Sequence, residues 1–148
     1  MNISQKCQYA LRSVFELARR RQGGPVTVAE IAAAQAIPPR FLEVILVELR
    51  KAGFVKSRRG VHGGYQLAVL PQSLTVGTVI EFVDGPVAPV KCVADPSDVD
   101  CALYGNCAFM PLWEQARDAL ATVYNGTTFQ DLIEQEHVAA SKHVGRNI

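Results

Sequence analysis

From Ser4 to Arg21 the apolar residues Cys7, Ala10, Leu11, Val14, Leu17 and Ala18 recur at the three- and four-residue spacing of one helix face, and Gly23-Gly24-Pro25 ends the pattern. Thr27-Val28-Ala29-Glu30 has the form of a capping box, in which hydroxyl and carboxylate satisfy orphan amides, and it opens a short helix to about Gln35. After a turn at Ala36-Ile37, Pro38-Pro39 suits a first helical turn, where a missing amide costs nothing. This next helix runs to Ala52 before Gly53. Its buried face is Leu42, Ile45, Leu46 and Leu49, with Arg40, Glu43, Val47, Arg50 and Lys51 largely outside it. Residues 54–58 and 65–68 read as two short strands around Arg59-Gly60-Val61-His62-Gly63-Gly64.

The second half has a different pattern. Val76, Val79, Ile80, Phe82 and Val83 mark a short helix that Gly85-Pro86 ends, and residues 85–108 form an irregular loop too long for a mere connection. Residues 109–124 predict a helix with the wide apolar stripe Phe109, Leu112, Trp113, Ala116, Leu120, Val123 and Tyr124, closed by Asn125-Gly126. So wide a stripe must bury against something, and a partner subunit is the natural answer. Thr127 or Thr128 caps a last helix from Phe129 to about Glu136, and residues 138–148 read as a frayed tail. The expected class is mainly α with a small β wing. Its division is a unit of helices and the hairpin wing at 1–84, a cysteine loop at 85–108, helices at 109–137 and a tail at 138–148.

A short capped helix, a tight turn and a second helix match a helix-turn-helix, whose second helix enters the major groove. The Gly-rich hairpin that follows fits a wing, with an Arg at its tip for the narrow minor groove and glycines that let the backbone approach phosphate. Charge adds to this. Residues 1–62 carry 11 Lys/Arg against four Glu, while the remainder holds four basic and ten acidic residues, so the net charge of +1 conceals a basic half. A polyanion partner fits this split, and so do solvated helix faces; charge alone does not choose.

Three cysteines, Cys92, Cys101 and Cys107, fall inside the loop, and such a thiolate trio reads as a metal site. With no apolar run of membrane-spanning length and no signal-peptide core, a soluble cytoplasmic protein is expected, in which thiols stay reduced unless they are catalytic, sensing or metal-bound. Cys7 lies on the apolar stripe of the first helix and reads as a small buried hydrophobe. No nucleophile–base set, P-loop or dinucleotide motif supports an enzyme.

Nearly the whole chain resembles the IscR/NsrR family of bacterial winged-helix regulators. The resemblance rests on Gln5-Lys6 and Tyr9-Ala10-Leu11-Arg12, Ile31-Ala32, Arg40-Phe41-Leu42-Glu43 and Leu49-Arg50-Lys51-Ala52-Gly53. It continues through Val55, Arg59-Gly60, Gly63-Gly64-Tyr65-Gln66-Leu67-Ala68, Gly85-Pro86, the three cysteines and Leu112-Trp113. It implies a homodimer joined by the long helix, an operator in double-stranded DNA, and an iron-sulfur cluster, 2Fe-2S or 4Fe-4S, on Cys92, Cys101 and Cys107. It also implies DNA contacts from Thr27, Arg40, Glu43, Arg58, Arg59, Gly60, Gly63, Gly64 and Tyr65. Of these, Arg40 and Glu43 would meet base edges and Arg59 the minor groove.

Val61-His62 departs from the more usual Pro-Gly at the wing tip, and the x8 gap from Cys92 to Cys101 is longer than in the best-known members. Zinc ribbons present C-x2-C knuckles, whereas x8 and x5 spacings wrap a loop around something larger, so iron-sulfur is favoured over zinc. The family's places for a fourth ligand hold Met110 and Gln8, neither a favoured iron donor. The expected function is a transcriptional regulator, a repressor, gated by a cluster that senses iron, redox or nitric oxide status. The alternatives are a cluster-free regulator gated by a metabolite or partner protein, and an iron-sulfur electron carrier.

Overall fold

The computed structural model describes residues 2–144. Helix α1 (Gln5–Arg19) starts at Ser4, whose hydroxyl accepts from the Cys7 amide, and it buries Cys7, Ala10, Val14, Leu17 and Ala18 along one face. In α2 (Val28–Gln35) the Thr27 hydroxyl accepts from the Glu30 amide at 3.2 Å and the Glu30 carboxylate accepts from the Thr27 amide at 2.8 Å, a complete capping box. The helix ends at Ala36, whose φ of 51° is left-handed for a residue with a Cβ. The chain accepts that strain at the turn because it drops Ile37 into the core and launches α3 (Pro39–Lys51) across α2.

The wing is an antiparallel pair, β1 (Val55–Arg58) and β2 (Gly64–Leu67), in register Val55↔Leu67 to Arg58↔Gly64. Tyr65 exchanges two 2.8 Å backbone bonds with Val26, so the wing is pinned beside the start of α2. Helix α4 (Val76–Asp84) packs on α1, and the Phe54 and Phe82 rings meet edge to face at 5.5 Å.

Two parts of the second half differ from the sequence expectation. The loop after α4 contains a short helix, α5 (Lys91–Ala94), because Val93 needs burial and finds it. The last helix, α7 (Phe129–Val144), does not fray from Val138: no Gly or Pro interrupts residues 129–144, and Ala139 and Ala140 favour helix. Residues 145–148 of the expected tail lie outside the described residues.

The core also crosses the expected boundary at 84. Phe129 is fully buried with Leu17, Ile31, Leu46 and Val79, and the α7 entry pairs with the α4 entry through Val76 N–H to the Thr127 carbonyl (2.9 Å) and Phe129 N–H to the Leu74 carbonyl (3.1 Å). Between them, α6 (Met110–Asn125) contributes no buried residue in 16, and Phe109 before it, Leu112 and Val123 are exposed. It leans on α4 where Gly77 meets Asn125; a Cβ on Gly77 would occupy the position of the Asn125 side-chain oxygen. No helix of the described residues is long and apolar enough to cross a membrane.

Candidate nucleic-acid interface and cysteine loop

The amphipathic pattern of α3 turns Leu42, Ile45, Leu46 and Leu49 inward and leaves Arg40 and Glu43 exposed near its N-terminus. The Arg40 guanidinium lies 5.6 Å from the centroid of the Phe41 ring, a cation–π contact that limits its wandering. At the far end of α3, Arg50 donates to the Ser57 hydroxyl of β1 at 3.2 Å, so helix and wing are tied at one end and α2 and wing at the other.

Arg58 and Arg59 are exposed, and Val61 at the wing tip is 97% exposed. The three wing glycines have different reasons to be glycine. Gly60 has φ 108° and open space where a Cβ would be, which leaves its backbone approachable. A Cβ on Gly63 would strike the Arg58 carbonyl oxygen, and one on Gly64 (φ 149°) would strike the Val26 backbone. Gly63 and Gly64 are therefore required by the hairpin itself and by its seat on the α2 entry. Tyr65 packs half-buried against the core, and Thr27 is exposed with its hydroxyl engaged in the capping box.

Sequence reasoning missed a buried charge in α1. Glu16 of α1 has no solvent exposure, and its carboxylate accepts from Arg19 (2.9 and 2.8 Å), Arg20 and Gln35 Nε2 (2.7 Å). Burial pushes this carboxyl up, but the hydrogen bonds from Arg19, Gln35 and Arg20, with the Arg19 charge, outweigh it and hold it below the ordinary glutamate range. Arg12 donates to the Gln35 carbonyl at 3.0 Å, Arg20 lies 3.9 Å from Glu30, and Arg19 lies 3.4 Å from Glu136. Both ends of α2, and α7, are thereby fastened to α1. The only sequence signal was Glu16 standing beside an apolar stripe, with Arg19 and Arg20 one turn on.

All four cysteines are free: Cys101 is exposed, Cys92 (in α5) and Cys107 (before α6) are half-buried, and Cys7 is buried. Among the described residues no three His, Cys, Asp or Glu side chains come together as a metal site, so the loop thiols share a segment without sharing a point. Their chemistry, three unpaired and reachable thiols, nonetheless suits an iron-sulfur donor set. The loop is held at both ends: Arg117 of α6 donates to the Val93 carbonyl at 3.3 Å, and the Met110 amide bonds the Cys107 carbonyl at 3.1 Å.

Cys7 has a different environment. Burial pushes its thiol up, and the Asp84 carboxylate beside it adds to the rise, to about 12. The same carboxylate receives the Ser4 amide at 2.8 Å and the Ser4 hydroxyl, joining the start of α1 to the end of α4. Gln8, one residue on, spends its side-chain amide on the Ile3 carbonyl at 3.2 Å.

Comparison with known proteins agrees with this geometry. Residues 3–135 match the model of the Rrf2 family, described as iron-dependent transcriptional regulators. The chain is 36% identical over 132 residues to the HTH-type transcriptional regulator CymR of Bacillus subtilis, covering 89% of each. It is 33% identical over 138 residues to the HTH-type transcriptional regulator IscR of Vibrio campbellii, covering 93% of this chain and 80% of that one. Among solved structures, CymR, described as the global cysteine regulator of B. subtilis, superposes with a TM-score of 0.75 at 35% identity, covering 91% of this chain and 98% of that one. IscR of T. potens gives 0.74 at 29% identity, covering 94% and 90%.

Proposed function

The chain belongs to the Rrf2 family of transcriptional regulators, and from that premise we propose that it is a homodimeric repressor whose grip on its operator is gated by an iron-sulfur cluster on Cys92, Cys101 and Cys107. The observation that carries this reading is three free thiols on a loop fixed at both ends to α6, next to a basic winged helix. When bound, the cluster supplies sensitivity to iron supply, oxidant or nitric oxide.

The chain's own part is mechanical. Holding the group on thiols that lie apart in this structure would draw α5 and the Cys107 segment, both bonded to α6, toward one another. Helix α6 offers the exposed stripe of Leu112 and Val123 for a second copy, so a change in the loop alters how two reading heads are spaced. On the DNA, Arg40 and Glu43 meet major-groove edges while Arg58, Arg59 and the Gly60 backbone meet the minor groove and phosphates; Thr27, Gly63, Gly64 and Tyr65 set the α2 entry and the wing in place.

A second reading, a cluster-free regulator gated by a metabolite or partner protein, is supported by the separation of the loop thiols and by the likeness to CymR. Anaerobic purification with iron and sulfide counts separates the two. The cluster reading expects a coloured protein that loses its visible absorbance in Cys92→Ser, Cys101→Ser and Cys107→Ser and changes its operator affinity with it. A colourless, iron-free protein that binds operator fully would establish the second reading.

A further inference from the structure

Helix α3 buries Leu42, Ile45, Leu46 and Leu49. At about 100° per residue, the direction opposite that face falls between Val44 and Val47, with Arg40 one turn before and Lys51 one turn after. Val44 is 58% exposed and Val47 half-buried. The outward midline of a surface helix is ordinarily polar, and β-branched residues are weaker helix formers than the lysine or glutamate that usually stand there. The protomer itself covers part of Val47, and Val44 borders a cleft beside Tyr9 and Phe41, yet Val44 keeps most of its surface in solvent, where its own chain gives it no apolar partner.

We propose that Val44, flanked by Val47, reads thymine in the operator by packing on its C5-methyl group. The inference rests on the assignment of α3 to the major groove and adds to it the base it selects. Thymine's methyl is the one apolar group on the major-groove edge of the four ordinary bases, so an apolar side chain aimed there has a single partner class. The surroundings match DNA in charge: Arg40, Arg50 and Lys51 share the exposed surface of α3, and Arg58 and Arg59 follow on the wing. Glu43 stands one residue before Val44 and suits the amino group of cytosine, so the two together would distinguish neighbouring pyrimidines, one by a hydrogen bond and one by a methyl contact. Val44 also borders a cleft of about 340 Å³ with Tyr9 and Phe41, so an apolar segment of a second copy is the competing occupant.

The test starts from random-sequence duplexes selected with the wild-type protein. Each thymine of the selected site is then replaced singly by deoxyuridine, which removes only the methyl. We expect one or two positions per half-site at which uracil weakens wild-type binding about threefold to tenfold. Val44→Ala should bind the thymine and uracil duplexes equally while melting like wild type. Specific binding with no uracil-sensitive position overturns the inference and leaves the DNA reading intact; so does uracil sensitivity that survives in Val44→Ala. Absence of any sequence-specific binding overturns the inference together with the reading beneath it. A change of oligomeric state in Val44→Ala assigns this face to a second copy and overturns it as well.

Discussion

The Cys7 thiol is buried beside the Asp84 carboxylate, whereas Cys101 lies in solvent and Cys92 and Cys107 are partly open to it. A thiol is nucleophilic and metal-binding only as thiolate, and one raised to about 12 is about one part in ten thousand thiolate at pH 8. Iodoacetamide treatment of the reduced, metal-free protein at pH 8 should therefore label Cys92, Cys101 and Cys107 rapidly and Cys7 only after unfolding, as read by mass spectrometry. A thiol so buried and so raised is no ready cluster ligand, so Cys7→Ser should keep the anaerobic visible absorbance; equal labelling of Cys7 would instead make it a candidate for the fourth ligand. The place of Cys7 in an apolar stripe was legible from helical spacing. Its carboxylate neighbour was not, because Asp84 reaches it only after α4 has folded back on α1. Gly63 and Gly64 were likewise legible as special, but the contacts that demand them, with Arg58 and Val26 backbone, exist only once the hairpin is closed and seated.

At the scale of elements, α1 acts as the post to which both ends of α2 are tied, through Glu16–Gln35 and Arg12–Gln35 at one end and Arg20–Glu30 at the other. Removing the Glu16 carboxylate orphans the Gln35 amide and the two guanidiniums, but Arg19 and Arg20 keep 36% and 37% exposure and regain water, so Glu16→Ala should cost about 1–3 kcal/mol in chemical denaturation. Because the folded Glu16 carboxyl is held below its ordinary value, its contribution is present above the unfolded pKa of about 4.3 and is lost as pH falls through the lower, folded value. Wild-type stability should thus fall more steeply than that of Glu16→Gln as pH is lowered from about 5. Parallel acid profiles of the two proteins would show that Glu16 does not carry this linkage. The helices of the reading head, their caps and the wing were legible because each is specified within a few residues, by spacing, Thr27-to-Glu30 chemistry or glycine. The network was not, because the buried carboxylate is completed by Gln35, at the far end of another helix, as well as by its neighbours Arg19 and Arg20.

Across the whole molecule, Phe129 makes the C-terminal helix part of the DNA-binding core, while α6, which lies between them in sequence, stands outside with Leu112 and Val123 exposed. Apolar periodicity showed that both segments were helical. It could not show which stripe the chain itself covers, since Phe129 and Leu112 look alike until the α4 and α7 entries pair. The exposed stripe sets the test of assembly: Leu112→Asp alters a residue that the protomer leaves in solvent, so the fold should survive while a charge is buried in any seam between copies. Sedimentation should find a wild-type dimer and a folded Leu112→Asp monomer. A dimer would in turn govern DNA binding, because two wings acting together neutralise more phosphates than one and steepen the dependence on salt. Arg59→Ala should weaken operator binding and lower the salt slope by about one per reading head, while Lys142→Ala, on the exposed surface of α7, should leave both unchanged. Arg117 is no neutral reference for this comparison, because its bond to the Val93 carbonyl holds the cysteine loop. Equal slopes for the Arg59 and Lys142 variants would remove the wing from the interface, and a shallow slope in wild type matching that of the Leu112→Asp monomer would mean that a single head binds alone.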